Sequence, residues 1–323
     1  MTIDGIVTYQ VVHETRYAYS QPVLGSHQLA HLTPRQSAWQ QVRSHRIVVE
    51  PEPSDRSSGT DYFCNEVLHF ALDLPHATLT VRAESLVEVQ SQIPGQNAAT
   101  IQWEQATCSP ARGTADFDPG LEYFRIQSPM VPFLEEVTDY ARPSFLPGRP
   151  WLEAITELTH RIRSDFIYDP KATTVTTGID EVIMNRRGVC QDFAHLMISC
   201  LRSLGIPARY VSGYVLNTAS LDAPPLVGAD ASHAWIAAHC PGLGWVAFDP
   251  TNGKLADLEF VTLGWGREFS DVTPLRGVVL GSATQSLSVA VRMERFSDNT
   301  RQAFLANSSK SLEDSARLNK KPW

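Results

Sequence analysis

The 323-residue sequence has no apolar run approaching the length of a membrane span. Its start, Met1-Thr2-Ile3-Asp4-Gly5, has no basic segment followed by an apolar one. A spanning helix needs about 20 consecutive apolar residues, and a secretory leader needs a basic start ahead of an apolar core. The sequence alone therefore predicts a cytoplasmic protein with no membrane partner. Cysteine is sparse: five residues, an odd number, scattered at Cys64, Cys108, Cys190, Cys200 and Cys240. Scattered thiols suggest no disulfide framework and fit a reducing compartment. Positive charge is in deficit, with 27 Lys and Arg against 35 Asp and Glu and a formal net charge of −8. Arginines cluster at Arg142 to Arg149, at Arg161 and Arg163, and at Arg186-Arg187, but they form no basic stripe interleaved with aromatics. Nucleic-acid binding is therefore not expected. No Cys-x-x-Cys pair occurs, and Cys190, His195, His233, His239 and Cys240 follow no short-loop zinc spacing, so neither a metal nor another cofactor is expected. No internal repeat is visible.

What is present suits an ordinary globular chain. Apolar residues make up 43% and charged residues 19%, and the length allows two domains with full cores. Residues 7–12, 46–50, 67–72 and 79–89 read as strands separated by turns rich in Pro, Ser, Gly and Asp. Short strands at such spacing predict a β-sandwich over residues 1–126. The pattern changes near Ser128. Helices are expected over 129–140, 151–166 and 179–185, then a cysteine-bearing helix, then strands from Arg209 onward, with more strand material at 272–293. These elements define an expected second domain over 127–295. Residues 296–323 are polar with sparse apolar positions and read as a tail.

The chemistry centres on Cys190. After it, Phe193, Ala194, Met197, Cys200, Leu201 and Leu204 recur at three- and four-residue steps, the period of a helix with a buried face. Gly205 ends the helix and Pro207 follows. Cys190 thus falls in the first turn, where unpaired backbone N–H groups and the positive end of the helix dipole suit a nucleophilic thiolate. Cys200 lies mid-helix and reads as packing. Downstream, two strand-like runs flank Pro241-Gly242-Leu243-Gly244 as a hairpin. His233 opens the first run and Asp249 closes the second, so both lie at the end away from the turn. A thiol nucleophile needs a base, and the base needs an orienter. Cys190, His233 and Asp249 offer these three roles in chain order. Each also has a plainer reading: a small packed residue, a hydrogen-bonded core histidine, and a turn residue before proline.

Register provides a test. A two-residue loop would pair Asp249 with Ile236, whose side chain faces away from that of His233. The triad therefore requires a longer loop or a bulge, and a five-residue loop over 239–243 would set His233 directly across from Asp249. For the oxyanion, the Cys190 backbone N–H is one expected donor. Tyr168, Gln191 and Trp151 are candidates for a second. Trp235, Trp245 and Trp265 either line a substrate cleft or pack in the core. Asp192 and His195 read as structural neighbours.

The stretch 166–253 resembles a bacterial transglutaminase-like domain. Three motifs carry the resemblance: Gly188-Val189-Cys190-Gln191-Asp192-Phe193-Ala194-His195, Ser232-His233-Ala234-Trp235, and Phe248-Asp249-Pro250-Thr251-Asn252. Upstream, His13-Glu14-Thr15-Arg16-Tyr17 and Leu32-Thr33-Pro34-Arg35 resemble the β-rich N-terminal domain that accompanies this family. The resemblance implies an α+β fold: an N-terminal β-sandwich followed by a papain-like core with a cysteine-bearing helix on an antiparallel sheet. It also implies thiol-dependent acyl chemistry on peptide or protein amides through a thioester, as a peptidase or amidase or as a transglutaminase. Bacterial members of this kind are more often hydrolytic than cross-linking. The alternative is a non-catalytic peptide-binding module that keeps the fold.

Overall fold

The computed structural model describes residues 5–92, 101–108, 118–174, 177–216, 231–281 and 284–296. Strand β1 (Ile6–Val23) is long, and its alternating apolar residues bury one face. β2 (Gly25–Ala30), β3 (Gln40–Glu50), β4 (Asp55–Thr60), β5 (Glu66–Leu72) and β6 (His76–Gln90) follow. β1 pairs with β6, and β6 with β3, in one antiparallel sheet. β2 pairs with β5, and β5 with β4, in a second. Val23, Leu79 and Val81 of the first sheet meet Leu68, Phe70 and Leu72 of the second in one core. This is the expected β-sandwich.

The second half begins with short helices α1 (Trp103–Thr107) and α2 (Pro119–Glu122). Helix α3 (Glu135–Ala141) is shorter than the expected 129–140, because residues 128–131 form a tight turn closed by a Ser128–Val131 backbone pair and Pro132 follows. α4 (Trp151–Asp165) comes next. β7 (Ile167–Tyr168), α5 (Ile179–Asn185) and β8 (Arg187–Gly188) lead into α6 (Cys190–Ser203). Strands β9 (Ala208–Val215), β10 (His233–Cys240), β11 (Gly244–Asp249), β12 (Lys254–Leu255) and β13 (Phe260–Gly266) form an antiparallel sheet in the order β12-β11-β10-β9-β13.

Helix α6 is buried from Asp192 to Arg202. Phe193, Leu196, Met197, Ile198 and Leu201 pack between the sheet residues Ala234, Ile236 and Ala238 and the α4 residues Trp151, Ile155 and Leu158. At about 1.5–3 kcal/mol for each large side chain, these five contribute on the order of 10 kcal/mol of gross burial. That burial fixes the helix, and with it the placement of its first residue. Further along the sheet, Tyr214, Leu216, Val261 and Leu263 pack against Tyr9, Val11, Val87 and Val89 of the sandwich. His13 Nδ1 and the Tyr214 hydroxyl lie 2.9 Å apart across this junction. β9 is covered on both faces, which explains its unbroken burial.

The last two strands differ from the expected organisation. β14 (Leu275–Leu280) pairs with β2, and β15 (Gln285–Arg295) pairs with β1 along eleven residues. The chain thus returns to the sandwich, and residues 275–295 complete the N-terminal sheets rather than the second domain. Helix α1, placed before the expected boundary at 126, packs on α4 instead. Alternation identifies a strand and its buried face but not its partner, so the return was not readable locally. The expected polar tail, from residue 297 onward, lies outside the described residues. Among the described residues no helix is long and apolar enough to cross a membrane.

Candidate active site

The segment before Cys190 is built to hold it at a helix tip. β7 and β8 pair in parallel, Tyr168 opposite Gly188. Asp192, at the third helical position, folds back over the chain and accepts from the Val189 N–H at 2.8 Å and the Thr173 hydroxyl at 2.6 Å. Gly188 permits this, since a Cβ there would lie 2.8 Å from Asp192 Oδ2 and 2.9 Å from its Cβ. Burial pushes the Asp192 carboxyl up, and the two donors only partly offset it. Asp192 therefore caps the helix and locks the loop. Cys190 follows as the first helical residue and is half-buried, with a backbone N–H that has no intrahelical acceptor.

The hairpin brings the base and its orienter together. Cys240 pairs with Gly244, so the loop is the three residues Pro241, Gly242 and Leu243. Continuing the register sets Asp249 across from Trp235, one diagonal step from His233 and on the same face. The loop is longer than two residues, as the triad demands, but it is not the five-residue loop that would place His233 directly opposite. A diagonal pair is within reach of a carboxylate and an imidazole. His233 Nε2 and Asp249 Oδ2 lie 2.8 Å apart with both side chains fully buried. Asp249 is itself held in place: its Oδ1 accepts from the N–H groups of Thr251 at 2.9 Å and Asn252 at 3.2 Å, and its Oδ2 accepts from Asn252 Nδ2 at 2.6 Å.

Burial alone would lower the His233 pKa, but the Asp249 charge and hydrogen bond, followed by the neighbouring Cys190 sulfur, outweigh it and raise the pKa to about 10. The imidazole is accordingly charged at neutral pH. Asp249 occupies Nε2, which leaves Nδ1 as the ring atom for the thiol. Nδ1 makes no hydrogen bond among the described residues. The Cys190 sulfur neighbours the ring and supports its charge; catalytic hydrogen bonds in an unliganded site are commonly long and tighten with substrate bound.

The other candidates separate. Tyr168 is half-buried beside the cysteine loop, and burial, then Cys190 and Asp192, push its hydroxyl up to about 12. It remains a proton donor near the thiol. Gln191 follows Cys190 in the same turn and is half-buried. Trp235, in contrast, is 1% exposed and packs on Phe260 and against Gly213, so it supports the His233 strand rather than an open cleft. Its ring stacks on that of His233 with centroids 6.1 Å apart. Trp151 is wholly buried against Phe248. His195 is also buried; its Nε2 accepts from the Phe269 N–H at 3.1 Å, and burial lowers its pKa to about 3, so it is a neutral structural residue. Cys200 is fully buried, and burial pushes its thiol up to about 12.

Sequence reasoning missed Tyr210. It is buried on β9 next to His195, and burial, then Cys190 and Asp192, raise its pKa well above the ordinary value. The run Arg209-Tyr210-Val211-Ser212-Gly213-Tyr214 was visible between the cysteine and histidine motifs, but its strand pairing was not.

Comparison with known proteins gives the family and the fold. Residues 9–88 match the bacterial transglutaminase-like N-terminal region, and residues 139–250 match the transglutaminase-like superfamily. An uncharacterized protein of Mycobacterium tuberculosis is 38% identical over 298 residues, covering 89% of this chain and 92% of that one. A protein-glutamine gamma-glutamyltransferase of Pseudomonas aeruginosa is 29% identical over 192 residues, 56% of this chain and 28% of that one. The crystal structure of a candidate cysteine protease from Cytophaga hutchinsonii superposes with a TM-score of 0.72 at 20% identity, covering 91% of this chain and 92% of that one. At that identity the likeness shows the fold.

Proposed function

The chain belongs to the bacterial transglutaminase-like family, and from that premise we propose that it carries out thiol-dependent acyl chemistry on peptide or protein amides through Cys190, His233 and Asp249. The observation that carries this reading is the buried His233–Asp249 pair, 2.8 Å apart, which keeps the imidazole charged beside the Cys190 sulfur. A half-buried thiol at a helix tip is open to a carbonyl in a way that Cys200 is not.

The steps follow from those groups. The Cys190 sulfur attacks the amide carbonyl carbon, forming a C–S bond and a tetrahedral oxyanion. The Cys190 backbone N–H faces that oxyanion, with the Tyr168 hydroxyl as the second donor. The C–N bond then breaks, and the leaving nitrogen takes the His233 proton. Water, or a primary amine, attacks the resulting thioester while His233 accepts its proton, and the thiolate leaves as the C–S bond breaks. Asp249 holds the ring orientation and stabilises its charge throughout. Residues 5–92 with the two returning strands act as a supporting domain, and the free cysteines suit a reducing, cytoplasmic setting.

Mass spectrometry of a glutamine-containing peptide, with and without a primary amine, tests this. Deamidation or chain cleavage alone identifies a hydrolase, and an amine adduct identifies a transferase. Both must vanish in Cys190→Ala. If neither product forms and the peptide still binds, the non-catalytic module is the correct reading.

A further inference from the structure

On the face of the catalytic sheet away from α6, Arg209 lies between two indoles. Its guanidinium carbon is 3.6 Å from the centre of Trp265 and 4.3 Å from that of Trp245. The guanidinium carbon of Arg35 is also 3.6 Å from the centre of Trp265. Two guanidinium groups that close to one ring must occupy its opposite faces, so the side chains stack as Arg35, Trp265, Arg209, Trp245. Arg35 is anchored by the Phe63 carbonyl at 3.0 Å and Asn65 Oδ1 at 2.8 Å. Arg209 has no such anchor among the described residues. It is 5% exposed, and among the described residues its Nε–H has no acceptor and no carboxylate offsets its charge, so burial and then Arg35 both disfavour the cation.

Aromatic faces stabilise a guanidinium from above and below, but they cannot accept its in-plane N–H donors. A buried cation without acceptors is costly, and native proteins satisfy such groups. Arg209 lines a narrow cleft with Trp39, Gln92, Trp235 and Phe260, in which about 20 Å³ is open to the centre of a water molecule. That is room for roughly one water-sized occupant. Asp257, on the same cleft, is already engaged, accepting from Ser91 Oγ at 3.1 Å and the Gln92 N–H at 3.0 Å.

We propose that Arg209 anchors a binding site for one small monoanion, a halide or a single carboxylate group, behind the His233 strand. Trp235 and Phe260, which line the cleft, also flank the His233 ring, with centroids 6.1 and 6.3 Å away. The occupant is therefore separated from the imidazole by one layer of rings. A free ion and the carboxylate terminus of a peptide share this chemistry, and the test separates them.

The test titrates the full chain with sodium chloride or sodium formate and follows tryptophan fluorescence, with sodium gluconate at equal ionic strength as the anion too large to enter. The expected result is a saturable response to chloride and formate and none to gluconate. In Arg209→Met the half-saturating concentration rises roughly tenfold or more, the loss of one charge-assisted hydrogen bond. Should that variant not fold, Ala247 also lines the cleft, and Ala247→Val narrows it without removing the cation and should produce the same loss. Crystals soaked in bromide should show anomalous density against the Arg209 guanidinium. A glutamine peptide with a free carboxylate end that displaces bromide, while its amide-capped form does not, assigns the site to substrate. No displacement assigns it to a free ion. A response that never saturates, that gluconate reproduces, or that persists unchanged when Arg209 or Ala247 is altered overturns the proposal, as does absent bromide density.

Discussion

Asp249→Asn removes the charge and sets an NH2 group where Oδ2 accepts from His233 Nε2 and Asn252 Nδ2. Asn keeps an Oδ1 for the Thr251 and Asn252 N–H groups, so the turn after β11 survives. What changes is the balance on His233. Burial is the largest influence on that ring and opposes its charge; the Asp249 carboxylate reverses the outcome and carries the pKa from an ordinary 6.5 to about 10. With the carboxylate neutralised, burial is opposed only by the Cys190 sulfur, and the imidazole pKa should fall toward or below 6.5. A fall from about 10 to 6.5 corresponds to about 5 kcal/mol, at about 1.4 kcal/mol per tenfold change in protonation. At neutral pH the variant ring is uncharged and cannot protonate a leaving amine, so kcat should fall roughly 10²–10⁴-fold. Nitrogen-15 NMR of histidine-labelled protein reads the ring directly, and peptide turnover reads the consequence. A variant imidazole still charged at pH 8, or a wild-type ring already neutral there, would refute the reasoning.

Other outcomes follow from the same geometry. Iodoacetamide at neutral pH should modify Cys190 well before Cys200 and Cys240, whose thiols burial pushes up to about 12 and 11; peptide mapping over time reads the order. Gly188→Ala forces a methyl group against Asp192 and should cost about 1–3 kcal/mol, seen as a lower melting temperature. Adding Asp192→Ala should recover part of that loss, and purely additive effects would contradict the close approach. The folded His233 value lies above the unfolded one, so its stabilisation is complete below pH about 6.5 and is lost as pH rises through about 10. Thermal unfolding of wild type against Asp249→Asn across that window should show the difference shrinking with rising pH.

The local geometry around Cys190 was legible in the sequence because it is carried by local signals. The helical period after Cys190 and the stop at Gly205-Pro207 placed the thiol in a first turn, and α6 begins at Cys190. The side-chain period of two correctly demanded a hairpin loop longer than two residues. It did not supply the three-residue loop itself, because a five-residue loop satisfies the same parity. Trp235 looked like a cleft residue by its nearness to His233, yet Gly213 on the neighbouring strand opens a space that its ring fills in the core. Nothing local to β10 reveals which strand pairs beside it. The same limit hid the return of β14 and β15 to the sandwich and the stacking of Arg35 on an indole more than two hundred residues away. Such pairings rest on contacts distant in sequence, which propensity and period do not encode.

The account stands on one sulfur, and intact-protein mass spectrometry after rapid acid quench tests it most directly. With a glutamine peptide as acyl donor, wild-type protein should carry an adduct equal to the peptide mass less ammonia (or, on backbone cleavage, to the acyl fragment less water), mapped to Cys190 and discharged by water or hydroxylamine. An adduct on any other residue, or turnover that survives in Cys190→Ala, would contradict it.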